Sequence, residues 1–146
     1  MVHMLVLCLI AACMPGTTAT KAAGDSMVVE IRQQGSPKPG ATTLKWNLVF
    51  PAQLMDMQGD TPDLGGAAAA AGKSLQCNRS KPYVLACILF GGAQPVGEGA
   101  LAVIHFKIQG AAQTGKTSLR LERVEATAAD SKLSFWSDAE ATVTIH

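Results

Sequence analysis

Gly110-Ala-Ala-Gln-Thr-Gly-Lys-Thr117 has the spacing G-x-x-x-x-G-K-T, the loop that wraps phosphates with backbone N–H groups. In that chemistry Lys116 would meet the β- and γ-phosphates and Thr117 would hold magnesium. A hydrophobic stretch ending at Ile108 precedes it, as a phosphate loop requires. The residues that follow oppose it. A phosphate loop opens a helix, yet Ser118-Leu-Arg-Leu-Glu122 alternates with a period of two. Too few residues remain after Thr117 for a Walker-B carboxylate and crossover helices. A looser match, Ala67 to Ser74 (AAAAAGKS), has no strand before it and a strand after it. Gly-Lys-Ser/Thr therefore reads here as turn chemistry, and Gly110 to Thr117 as a glycine-containing hairpin loop.

Other reactive types are scattered. His105 sits mid-strand on the face opposite Ile104 and Phe106, where a lone histidine reads as solvated. His3 and His146 stand at the chain ends, so no histidine pair has zinc-like spacing. Asp56, Asp60 and Asp63 lack the alternation of a calcium loop and read as solvated loop acids. No nucleophile elbow is present. The expectation is a non-enzyme with no cofactor, no metal and no catalytic residue. Asn78-Arg-Ser80 is a glycosylation sequon, relevant only in a eukaryotic secretory pathway. Trp46 alternates in phase with Leu44, Leu48 and Phe50 and belongs to a core. Trp136, beside Phe135 and near a turn, is the candidate for a surface ligand contact.

Cys77 and Cys87 lie in two apolar runs separated by polar Asn78-Arg-Ser-Lys-Pro82, the pattern of a β-hairpin. Thiols facing each other there can close a cross-strand disulfide, which implies an oxidising compartment. The elements around it are strands. Met27 to Gln33, Leu44 to Phe50, Ala100 to Gln109, Ser118 to Val124, Ser134 to Trp136 and Ala141 to Ile145 are short and separated by turn residues. Gln53 to Asp56 fits one helical turn, Gly59 to Gly72 a loop, and Glu122 to Ala129 is the one competing helical segment. The fold class expected is all-β, an antiparallel sandwich. Twelve basic and 11 acidic residues are interspersed in 16% charged content. Nothing in that balance points to a nucleic-acid surface or a polybasic membrane patch.

The N-terminus carries a separate signal. Val2 to Met14 is apolar apart from His3 and shorter than the ~20 residues of a membrane-spanning helix. It reads as a secretory signal, although no Lys or Arg precedes Lys21. Leu9-Ile-Ala-Ala-Cys13 resembles a bacterial lipobox, in which cleavage precedes the cysteine and its sulfur carries lipid. Residues 1–23 are thus expected to be a signal peptide and tether, and 24–146 the folded domain. A plain cleaved signal and a buried strand or helix are the alternatives. The expected location is secreted or on the cell surface, anchored through Cys13.

With the strands placed, the pattern resembles cohesin-like domains of bacterial extracellular proteins, relatives in fold of carbohydrate-binding modules. Thr43 to Pro51 is similar to the family's strand and bend, Val96 to Ile108 to its G-x-LATIxFKV strand, and Ser118 to Asp130 to its x-L-x-L-xxVxatdadG strand and loop. A subset has a cysteine hairpin after an Ala-Ala-Gly-Lys-Ser-Leu segment, matching Ala70 to Leu75 with Cys77 and Cys87. The departure is at the front, where the family usually has two strands before the Leu44-type strand and one is clear here. The resemblance implies a jelly-roll sandwich and a non-catalytic role: binding a dockerin-like protein through one sheet face, or a polysaccharide. A structural surface subunit and a P-loop enzyme are the rival functions.

Overall fold

A strand sends successive side chains to opposite faces, so a period of two in apolar residues gives one face for a core. The computed structural model describes residues 3–8, 18–21, 24–33, 40–59, 61–109, 115–128, 133–135 and 139–145, with side chains described in 24–33, 40–59, 61–109 and 118–128. The elements in chain order are β1 (His3–Cys8), β2 (Thr18–Lys21), β3 (Ser26–Gln33), β4 (Ala41–Val49), β5 (Met55–Met57) and β6 (Asp63–Leu64). Then come α1 (Gly66–Ala70), β7 (Ser74–Lys81), β8 (Val84–Phe90), β9 (Gly99–Ile108), β10 (Gly115–Ala128), β11 (Leu133–Phe135) and β12 (Ala139–Ile145).

Among the described residues these form two sheets. The five-stranded sheet runs β1-β3-β9-β5, with β6 also on β9. The seven-stranded sheet runs β2-β12-β10-β4-β8-β7, with β11 also on β10. Two pairings are parallel, β1 with β3 and β2 with β12, and the others are antiparallel. The inner faces meet in one core. Trp46, Leu48 and Phe50 come from or just after β4, and Met27, Ile31, Ile104 and Phe106 from β3 and β9. Phe50 and Phe106 join the sheets edge to face, with centroids 5.1 Å apart. The sandwich expected from alternation is the fold.

Several local expectations need correction. Gly59 to Gly72 is more than a loop. Alanine has the highest helix propensity, and its run here forms α1, which lies on β9 with Ala68 buried. Gly65 precedes it, and its N–H donates to Leu101 O at 2.9 Å. A Cβ at Gly65 would overlap the Ala100 carbonyl, so only glycine lets the backbone approach this closely. Glu122 to Ala128 continues β10 as strand, not helix. The hairpin loop shrinks to Pro82 and Tyr83, because β7 runs through Lys81. As an edge strand β7 needs no apolar partner on its outer face, so polar Asn78 to Lys81 remain in it. The helical turn expected at Gln53 to Asp56 sits earlier: Pro51 O accepts from Leu54 N and Met55 N, and Met55 and Asp56 already belong to β5.

The segment read as leader and tether contributes β1 and β2. Three strands thus precede β4, where one was clear from sequence. Cys13, Asp60 and Trp136 lie outside the described residues.

Cys77 and Cys87 are directly opposed in register and joined by a disulfide, with Cα atoms 4.1 Å apart. Cys87 is buried and Cys77 packs against the core. The bond closes a loop of sequence separation 10. Replacing both cysteines with alanine should lower unfolding free energy by about 3 kcal/mol on the chain-entropy account. The far-ultraviolet β signature should survive, since most of the core comes from β3, β4, β9 and β10. Denaturant titration with and without reductant measures this, and two free thiols at these positions in protein folded under oxidising conditions would contradict the bond.

Candidate functional site

The outer face of β10-β4-β8-β7 is built row by row from the register. Gln76, Ile88, Lys45 and Glu125 stand across from one another, and so do Asn78, Ala86, Asn47 and Glu122. Along β8 the outward row is Ala86, Ile88 and Phe90, half-buried to exposed. Polar rows from β7 and β4 border it. Among the described residues, Lys45, Asn47, Gln76 and Asn78 make no side-chain hydrogen bond or ion pair. Between them lies an open depression of about 500 Å³. A second, of about 280 Å³, adjoins it at Asn47 and Arg123 and extends to Val49, Tyr83 and Arg120.

Arg123 is where the face departs from a regular pleat. Glu122 pairs with Asn47 and Glu125 with Lys45, so Arg123 and Val124 together oppose Trp46. This is a β-bulge. Val124 turns into the core, and Arg123 turns outward with a φ of 52°.

The hairpin β7–β8 is held at both ends. Lys73 Nζ donates to Gly91 O at 2.6 Å and Gly92 O at 3.2 Å, tying the start of β7 to the end of β8. Burial pushes the Lys73 ammonium below its ordinary value. Near the other end, Arg79 Nη2 donates to Asp56 Oδ1 at 2.7 Å. Its guanidinium also lies over the Phe50 ring, 5.2 Å from the centroid. Asp56 belongs to β5 in the opposite sheet, so this contact straps the sandwich shut along one side. The Arg79 hydrogen bond holds the Asp56 carboxyl below the usual carboxylate range, against the opposing effect of burial.

The outer face of the five-stranded sheet differs. Arg32 pairs with Glu30 at 2.6 Å, and His105 Nε2 lies 3.2 Å from Asp63 Oδ2. His105 and Asp63 are exposed, as read from sequence, but they are partners and not separately solvated. Asp56 likewise has a partner in Arg79. No group of His, Cys, Asp and Glu able to hold a metal occurs among the described residues. Trp46 is in the core, 1% exposed. Gly115, Lys116 and Thr117 open β10 and pair with Ile145, Thr144 and Val143 of β12. An antiparallel strand stands where a phosphate site would need a helix N-terminus. No helix among the described residues is long and apolar enough to cross a membrane.

Reading the sequence singled out neither Arg123 nor Ile88. A signal for Arg123 existed: Leu119, Leu121, Val124, Ala126 and Ala128 keep a period of two except for one extra residue between Leu121 and Val124.

No family model matches the chain, and no curated protein matches it. Solved structures do. The sixth cohesin of scaffoldin B from Acetivibrio cellulolyticus, solved with a mutant Cel5 dockerin, is 15% identical with a TM-score of 0.75, covering 97% of each chain. The OlpA cohesin from Clostridium thermocellum, solved with the dockerin Doc918, is 13% identical with a TM-score of 0.76, again over 97% of each chain. A non-cellulosomal cohesin from the archaeon Archaeoglobus fulgidus is 12% identical, covers 97% of this chain and 89% of its own, and has a TM-score of 0.69. At such identities the likeness is one of fold: this chain is a cohesin-like β-sandwich.

The Arg79–Asp56 strap makes a pH-dependent contribution to stability. The folded carboxyl has a lowered pKa, so the contribution is present above the unfolded value of about 4 and disappears as pH falls through the folded value. Asp56 is half exposed, which limits the size to about 1 kcal/mol or less. Asp56→Asn should therefore be slightly less stable than the parent at pH near 7 and equal to it at pH near 2. Urea titrations at both values check this, and a gap that persists in acid would assign the difference to something other than this charge.

Proposed function

We propose that this chain is a non-catalytic binding module that docks a protein partner on the outer face of β10-β4-β8-β7. One observation carries the reading. That face has an apolar row of Ala86, Ile88 and Phe90 bordered by polar side chains that have no partner among the described residues. An apolar centre with a polar rim is the anatomy of a protein interface. On the opposite face Glu30 and His105 already have partners. The similar cohesins solved with dockerins support a protein as occupant.

Polysaccharide fits less well. The exposed rings on this face, Tyr83 and Phe90, stand at opposite ends of β8. At ~3.3 Å per residue they are roughly 23 Å apart, which makes no continuous stacking platform. Ile88→Asp should leave the fold intact and remove capture of the protein partner in a pull-down. Retained capture would move the interface elsewhere. A glycan array beside the pull-down separates the occupants, and silence in both would sink the binding role.

Export and lipid attachment at Cys13 belong to the same proposal, supported by the lipobox-like Leu9 to Cys13. Cleavage before Cys13 would remove β1 and leave β3 at the edge of its sheet. The remaining strands include both sides of the docking face. Cys13→Ala should release the protein from membranes into the soluble fraction. Continued membrane association of that variant would refute the anchor.

A further inference from the structure

We infer that Arg123 is the specificity anchor of the docking face and that it takes a carboxylate from an acidic segment of the partner protein. The inference rests on the docking reading above and adds the partner's chemistry to it.

Position comes first. Arg123 lines both depressions of the face, so anything spanning them passes over it. Its backbone comes second. The φ of 52° is left-handed, a region that an L side chain enters only against a steric penalty. Glycine would occupy a bulge position of this hand without strain. This chain places there the residue with the largest fixed array of hydrogen-bond donors. Backbone strain held at an exposed position points to a use for the side chain that bears it.

Charge comes third. The chain has four arginines. Arg32 pairs with Glu30, Arg79 with Asp56 and Arg120 with Glu122. Arg123 has no carboxylate among the described residues. Of its acidic neighbours on the face, Glu122 lies 3.4 Å from Arg120, and Glu125, opposite Lys45 in register, makes no ion pair with Arg123. Lys81, Arg120 and Arg123 share the second depression with the single acid Glu122, so its charge is positive.

A planar guanidinium with free donors matches a carboxylate bidentately. Glu122 and Glu125 flank it and would repel a continuous polyphosphate backbone. They leave room for isolated carboxylates set among peptide groups, for which Asn47 and Asn78 supply donors and acceptors. An acidic protein segment therefore fits, and a nucleic acid does not.

Two measurements test this. In the first, a capped glycine-serine peptide carrying two separated glutamates is titrated into isotope-labelled protein. Amide shifts should gather at Lys81, Arg120 and Arg123 and vanish in Arg123→Gly. Their absence there, or their persistence in the variant, overturns the carboxylate assignment. In the second, the partner captured and identified by mass spectrometry is titrated calorimetrically against the parent, Arg123→Gly, Arg123→Gln, Ile88→Asp and Lys107→Ala. Both Arg123 variants should bind roughly thirtyfold more weakly with a shallower salt dependence, and Lys107→Ala should bind as the parent does. Arg123→Gly should melt at or slightly above the parent temperature, which separates lost recognition from lost folding. Loss with Ile88→Asp but parental affinity in both Arg123 variants overturns this inference and leaves the docking face standing. Parental affinity in Ile88→Asp, or no partner at all, overturns both.

Discussion

The constraint on which the structure depends is phase. Each strand must present its apolar side chains to the one core, and a slip of a single residue sends the whole set to solvent. β4 keeps phase from Leu44 through Leu48 without a break. β10 cannot, because Leu121 and Val124 are both buried and three positions apart. One residue must be taken out of the ladder between them, and the bulge at Arg123 does this. The same demand that completes the core also pushes one long cationic side chain out of the pleat near the middle of the open face. Core packing and surface chemistry have a common cause in this strand.

The phase of the neighbouring hairpin is secured differently. β7 is an edge strand with exposed, mostly polar residues, and little burial fixes its register. The Cys77–Cys87 bond sets that register covalently, since it joins directly opposed positions. Lys73 anchors one end of the hairpin to the Gly91 and Gly92 carbonyls, and Arg79 anchors the other across the sandwich to Asp56. Such fixity suits the docking proposed for this face. Side chains that are already ordered lose less freedom on binding.

Alternation was legible wherever it was uninterrupted. Leu44 to Phe50 and Ala100 to Gln109 could be read as strands because their apolar side chains recur every second residue, and the cysteine hairpin because a polar stretch divides two apolar runs. The bulge was misread for the same reason. Its extra residue puts Leu121, Val124 and Ala128 at spacings of three and four, which mimic a helix. α1 was missed because five residues are too few to show a period. β1 was hidden by composition, since an apolar run after Met1 looks the same in a leader and in a strand, and β2 by its length, since Thr18–Lys21 is too short to show a period. The Arg79–Asp56 strap joins residues 23 apart in different sheets, and no local pattern announces such a pair. The open face was half visible. Lys45 and Asn47 could be placed on the outer side of their strand, but their alignment with Ile88 and Gln76 depends on strand order, which alternation does not encode.

Arg79 and Arg123 show how one residue type divides between holding a fold and serving a surface. Arg79 spends its donors on Asp56 and its flat cation on the Phe50 ring, both within the chain. A partner approaching it would have to displace contacts of comparable strength, so it has little to offer. Arg123 lies exposed on a bulge and forms no ion pair with Glu122 or Glu125. Exchanging water for a carboxylate there breaks no internal bond. The net attraction of a charge-assisted pair survives to the extent that docking also excludes water, and the apolar row of Ala86, Ile88 and Phe90 beside it provides that exclusion. The two features work only together. An arginine on an open polar sheet would hold a partner weakly through screened charge, and an apolar row without it would accept many partners with little preference among them.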